Sequence, residues 1–134
     1  MDNLKEIGSI IEEAFSNSMS FFCEKDSTSK VLLSSNCRIP NVSETKFMEV
    51  LFKEDMLKDK EVDLLTIEVN YSIKDRMTDV CGECFCNDGI IMNKFHHHAY
   101  EEDIDDIEKS LTSFLEEIKN KYDDMLKNYI QHKK

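Results

Sequence analysis

The 134-residue chain is long enough to bury one hydrophobic core, and its 40% hydrophobic content is typical of a folded protein. Its net charge of -11, from 28 acidic against 17 basic residues, disfavours direct nucleic-acid binding, because that requires clustered Lys and Arg. The sequence shows neither a secretory signal nor the roughly 18 consecutive apolar residues of a membrane span. We therefore expect a soluble, intracellular protein of the cytoplasm, and an odd number of cysteines, five, agrees with a reducing compartment.

A helix is predicted at the start of the chain. Asn3 and Glu6 have the spacing of a capping box, in which two side chains satisfy free backbone amides at a helix N-terminus. Apolar residues then recur every three or four positions, which predicts a helix from about Leu4 to Phe22. After a polar, turn-prone stretch, the apolar residues within 30–34 predict a short strand.

The segment 41–57 has two interpretations. Asn41 and Glu44 follow Pro40 with a second capping-box spacing, which favours a helix. The apolar run at 47–52 also fits a buried strand, because periodicity does not separate the two structures in so short a run. We predict a helix here and keep the strand as the alternative.

Three further strands are predicted in the second half of the chain. Apolar and polar residues alternate strictly from Leu65 to Ile73, which predicts a strand with its odd-numbered side chains buried. A turn at 74–76 leads to a second strand at 77–86. The sequence 87–89, Asn-Asp-Gly, is a hairpin signal that leads to a third strand at 90–100.

The C-terminal segment predicts the longest helix. Acidic residues stand at its start, where the helix dipole favours negative charge, and one apolar stripe continues from Ile104 to Ile130. Such a helix would be about 40 Å long, longer than the strands that it packs on. We therefore expect the end of the stripe to contact other helices, a second copy of the chain in a homodimer, or a partner. The residues concerned are Met125, Leu126, Tyr129 and Ile130.

Together these elements predict an α+β fold. It consists of an N-terminal helix, a small antiparallel β-meander of about three to four strands packed by helices, and a long C-terminal amphipathic helix. No repeat, linker or low-complexity tract divides the chain, so we expect one domain over residues 1–134.

Cysteines and histidines concentrate in the predicted hairpin. The residues are Cys81, Cys84, Cys86, His96, His97 and His98. Zinc sites in proteins use these residue types, although the spacing here is not that of a known zinc motif. Cysteines near the turn lie too far along the strands from the histidines for one tetrahedral site to use all six residues.

The register of the hairpin decides which of these side chains meet. A two-residue turn would place Cys81 opposite His96 and Asp79 opposite His98 on one face, whereas a three-residue turn would move Cys81 to the other face. The interpretation that we favour is that the cysteines are buried apolar residues and that the histidines lie on a half-exposed strand. The first alternative is a zinc site with Cys81, His96 and His98 as ligands and Asp79 beside them. The second alternative is a catalytic pair of Cys81 and a histidine.

Of the features of the sequence, the net negative charge restricts the possible classes of partner most strongly. Our leading hypothesis is a non-enzymatic binding protein that occupies a basic surface of a protein or ribonucleoprotein, as an inhibitor, immunity-type protein, viral antagonist or ribosome-associated factor. The alternatives are a small zinc-stabilised adaptor that uses the cluster at 81–86 and 96–98, and a small Cys/His enzyme. The sequence lacks a glycine-rich phosphate loop and indicates no cofactor other than zinc.

Overall fold

In the computed structural model, two helices pack on one face of a five-stranded antiparallel sheet. The structure describes residues 3–24, 28–55, 60–86, 89, 91–100 and 104–132, with the backbone alone at some of them. The elements in chain order are α1 (Asn3–Cys23), β1 (Thr28–Ile39), β2 (Ser43–Asp55), β3 (Lys60–Lys74), β4 (Met77–Cys86), β5 (Ile91–Tyr100) and α2 (Ile104–His132). Each strand pairs with the next in the sequence, so β1 and β5 form the two edges of the sheet.

The predicted α+β fold is confirmed, with five strands instead of three or four. The prediction of a helix over 41–57 was wrong, because β2 occupies most of this segment. Val42 N donates to Ile39 O at 3.0 Å, and Asn41 has a φ of 63°. Pro40 followed by a left-handed Asn41 is the pattern of a type II turn. These residues therefore reverse the chain between β1 and β2 instead of capping a helix.

The alternation predicted for β3 is confirmed. Leu65, Ile67 and Val69 are fully buried, and Tyr71 is 1% exposed. Their neighbours in the sequence are only partly buried, because successive side chains of a strand point to opposite faces of the sheet. Each fully buried apolar side chain of this size contributes about 1.5–3 kcal/mol. β3 is therefore the centre of the hydrophobic core.

The two helices cover different parts of the same face of the sheet. α1 packs on β1, β2 and β3, whereas α2 packs on β4 and β5. The helices also contact each other, since the rings of Phe22 and Tyr122 lie edge to face with centroids 5.1 Å apart. Neither described helix contains a segment apolar enough and long enough to cross a membrane. The predicted contact residues Met125, Leu126, Tyr129 and Ile130 lie within α2, and their side chains fall outside the described residues.

The opposite face of the sheet, which we call the open face, carries the side chains that alternate with the core residues. On β3 it presents Asn70, whose Oδ1 accepts hydrogen bonds from Arg38 Nη1 at 3.0 Å and from Thr45 Oγ1. These bonds join β1, β2 and β3 across the open face. On β4 and β5 the same face presents the predicted cluster.

Candidate functional site

The hairpin of β4 and β5 positions the predicted site. Asp79 lies opposite His98, and Cys81 lies opposite His96, as a two-residue turn predicts. The side chains of directly opposite residues lie on the same face of a sheet. The hairpin therefore places Asp79, Cys81, His96 and His98 together on the open face.

Close to the turn, a β-bulge makes the pairing differ from that of a two-residue turn. A two-residue turn would also place Cys86 opposite Ile91, but Phe85 occupies that position, because the pairing shifts between Cys84 and Phe85. Gly89 N donates to Cys86 O at 2.9 Å, and Gly89 has a left-handed φ of 85°. Pairs next to the turn therefore follow the three-residue-turn register. The extra residue of the bulge then restores the two-residue-turn register farther along the strands.

Three side chains converge on the open face. Asp79 Oδ1 contacts His96 Nε2 and lies 3.4 Å from His98 Nδ1. One ligand atom from each of the three residues lies within 4.8 Å of the other two. Their side chains are 42% to 57% exposed, so solvent and ions reach them freely. We call Asp79, His96 and His98 the open-face triad.

The predicted ligand Cys81 is not part of this triad, although it lies opposite His96. Among the described residues, Asp79 takes the place of Cys81 in the group whose ligand atoms lie close enough together to hold a metal ion. The predicted hairpin register placed Asp79 on the correct face, but Asp79 was not among the predicted ligands. The signal for its inclusion was its position directly opposite His98.

The thiols near the site do not have the properties of a nucleophile. Burial raises the pKa of the Cys81 thiol, and the carboxylates of Asp79 and Glu83 raise it further. Burial also raises the pKa of Cys84, which lies in the core. A reactive cysteine requires a lowered pKa, because the thiolate is the nucleophile. The raised pKa values therefore give no support to Cys81 or Cys84 as the nucleophile of a Cys/His enzyme.

β5 is held against α2 by the residues that alternate with the triad. His97 points to the helices, where its Nδ1 lies 3.5 Å from Ser110 Oγ. The ring of Phe95 packs against Phe114 with centroids 4.8 Å apart and lies over Gly82. Because His97 lies on the opposite face from His96 and His98, the three consecutive histidines do not form one patch. The contacts of His97 and Phe95 fix β5 so that His96 and His98 face outward.

A shallow groove of about 360 Å³ runs between β5 and α2 and adjoins the triad through His96. Its lining mixes two aromatic rings with lysine, serine and glutamate side chains. The lining residues are Lys94, Phe95, His96, Lys109, Ser110, Ser113, Phe114 and Glu117. The groove is open to solvent.

The two helices carry more of the net negative charge than the five strands do. α1 and α2 contain ten acidic residues against five lysines, and all ten acidic side chains are exposed. The five strands contain nine acidic against seven basic residues. Because each helix turns its apolar stripe to the sheet, its charged residues face outward. We call the outer surface of α1 and α2 the acidic helical layer.

Comparisons of the chain with protein-family models, with curated proteins and with solved structures found no match.

Proposed function

We propose that this chain is a non-enzymatic binding protein whose acidic helical layer occupies a basic surface of a protein or ribonucleoprotein. The observation that carries the proposal is the exposure of all ten acidic side chains of α1 and α2 on one side of the molecule. A surface of one sign attracts a partner of the opposite sign and increases the rate of association. Inhibitors, immunity-type proteins, viral antagonists and ribosome-associated factors all fit this description.

Carboxylates of both helices form ion pairs with lysines. Glu12 lies 2.6 Å from Lys46 Nζ, and Glu116 lies 3.1 Å from Lys119 Nζ. The Lys46 side chain is only 8% exposed, so Glu12 compensates a nearly buried charge of the sheet. The excess of acidic residues over lysines in the helices leaves negative charge for a partner. Because exposed ion pairs contribute only about 0–1 kcal/mol each, affinity would come from several pairs together.

Two matched variants test the proposal. Glu13→Gln with Asp124→Asn removes two exposed charges from the acidic helical layer, and Glu68→Gln with Glu83→Gln removes two from the open face. Each tagged variant is used for affinity purification from the source cells, and the affinity of the recovered partner is measured at increasing salt. We expect a partner with a basic surface, weaker binding at high salt, and an affinity about three- to tenfold lower for the helical variant alone.

The proposal fails if the recovered partner has no basic surface. It also fails if the helical and open-face variants bind the partner equally well. The open-face triad lies on the other side of the sheet from the acidic helical layer. Any activity of the triad is therefore separable from partner binding by the helices.

A further inference from the structure

We propose that Asp79, His96 and His98 bind a divalent transition-metal ion, with zinc as the ion that the donor set fits. The site lies on the open face of the β4–β5 hairpin and does not depend on the proposed partner of the helices. It provides two imidazole nitrogens and one carboxylate oxygen.

The backbone brings these donors together without a loop. His96 and His98 are two residues apart on β5, so both side chains leave the same face of the strand. Their ring centroids are 6.0 Å apart. Asp79 lies opposite His98 on β4 and contacts both rings. Because strands position side chains more precisely than loops do, the backbone holds the donors close together before an ion binds.

The distance between Asp79 and His98 fits the first shell of a small metal ion. Zinc binds nitrogen and oxygen ligands at about 2.0–2.2 Å, which places neighbouring ligand atoms of a tetrahedral site about 3.3–3.6 Å apart. Asp79 Oδ1 and His98 Nδ1 are already 3.4 Å apart. The largest separation within the triad does not exceed 4.8 Å, and the exposed His96 ring can rotate to close it. Three protein ligands leave a fourth position for water or for a partner group.

The chemistry of the donors selects the class of ion. Magnesium and calcium prefer shells made only of oxygen ligands. Imidazole binds zinc, copper, nickel and iron, and two histidines with one carboxylate form a ligand set for ions of this group.

The site joins the edge strand β5 to its neighbour β4. An ion bound only by the folded chain would therefore also raise its thermal stability.

The nearby thiol requires a control of its own. Cys81 lies opposite His96 on the same face, and the sequence suggested it as a zinc ligand. Its sulfur is outside the triad. If Cys81 were a ligand, the zinc–sulfur distance of about 2.3 Å would differ from the zinc–nitrogen and zinc–oxygen distances of about 2.0–2.2 Å. X-ray absorption at the zinc edge therefore distinguishes the two ligand sets.

The experiment is a calorimetric titration of the reduced, full-length chain with zinc sulfate. We expect one zinc per chain, an X-ray absorption shell of nitrogen and oxygen only, and a higher melting temperature with zinc. Asp79→Asn and His98→Gln should each lower the affinity at least tenfold. Cys81→Ser and Glu83→Gln, which change the same face of β4 but not the triad, should leave the affinity within about twofold of the original value.

Three results would overturn the proposal: no saturable zinc binding by the original chain, an unchanged affinity in His98→Gln, or a sulfur shell that disappears in Cys81→Ser. All four positions are at least partly exposed, so the variants should fold, and thermal unfolding without zinc verifies this. None of these results bears on the acidic helical layer. Loss of partner binding in the helical variant with intact zinc binding would separate the two sites.

Discussion

Gly82 provides the sharpest test of how β5 is held on α2. Replacing a glycine within a strand by alanine usually stabilises a protein by about 0.5–1 kcal/mol, because it restricts the unfolded chain. At Gly82 we expect the opposite. A Cβ there would lie 2.6 Å from Phe95 Cδ1 and 3.1 Å from Phe114 Cε2, both shorter than an ordinary carbon contact.

The magnitude follows from what must move. To admit the methyl group, the ring of Phe95 must shift away from Phe114, whose ring centroid is 4.8 Å away. Such an aromatic pair contributes about 0.5–1.5 kcal/mol, and overpacking a core costs about 1–3 kcal/mol. After the backbone gain is subtracted, Gly82→Ala should lower the free energy of unfolding by about 1–3 kcal/mol.

Urea unfolding of a double-mutant cycle with Phe95→Leu measures this effect. In the Phe95→Leu background the nearer ring is gone and only the 3.1 Å contact with Phe114 Cε2 remains, so Gly82→Ala should cost much less than in the original chain. Gly89→Ala is the control: nothing lies within 4 Å of its Cβ, but its φ of 85° is unfavourable for alanine. It should cost about 1 kcal/mol in both backgrounds. A Gly82→Ala variant that is more stable than the original chain would refute the reasoning.

Two further predictions concern the core. Val69→Asp should cost about 3–5 kcal/mol in urea unfolding by burying an unpaired charge, whereas Asn70→Asp on the open face should cost under about 1 kcal/mol; equal losses would contradict the facing of β3. Tyr71 donates a hydrogen bond to Glu44, and burial followed by Glu44 raises its pKa above the ordinary 10.0. The unfolded chain therefore ionises first, and stability falls as the pH rises above about 10. Tyr71→Phe should cost about 1 kcal/mol near pH 7 but lose stability less steeply above pH 10, and parallel pH curves for the two proteins would exclude this role.

The elements with one strong periodic signal could be predicted from the sequence. Residues 65–73 of β3 alternate strictly, and α2 has a continuous apolar stripe, so each element could be recognised from its own pattern. β2 was kept only as the alternative to a helix, because Asn41 and Glu44 have a capping-box spacing and a lysine stands at one of the core-facing positions of the strand. Lys46 interrupts the apolar alternation that continues in Met48 and Val50. Its charge is compensated by Glu12 of α1, a contact between distant parts of the chain that local patterns do not contain.

The pairing of residues across the hairpin could be predicted from the sequence, but the residues that form the candidate site could not. The pairing of Asp79 with His98 follows from the turn, because one hairpin register determines all opposite pairs. Which of Asp79 and Cys81 approaches the imidazoles depends on side-chain rotamers and on the twist of the strands. Neither quantity can be read from residue spacing. The bulge next to Cys84 was not predicted, because the sequence is compatible with two turn lengths and does not show that both registers occur in one hairpin.

The order of the strands has a consequence for synthesis on the ribosome. Every neighbour in the sheet is also the next strand along the chain, so each hairpin can form as soon as it emerges. The helices differ, because about 80 residues separate the end of α1 from the start of α2. At about 5–20 residues per second, α1 waits roughly 4–16 s before α2 begins to appear. During that interval β1, β2 and β3 alone cover its apolar stripe, and the surface destined for α2 is exposed to chaperones and to other nascent chains.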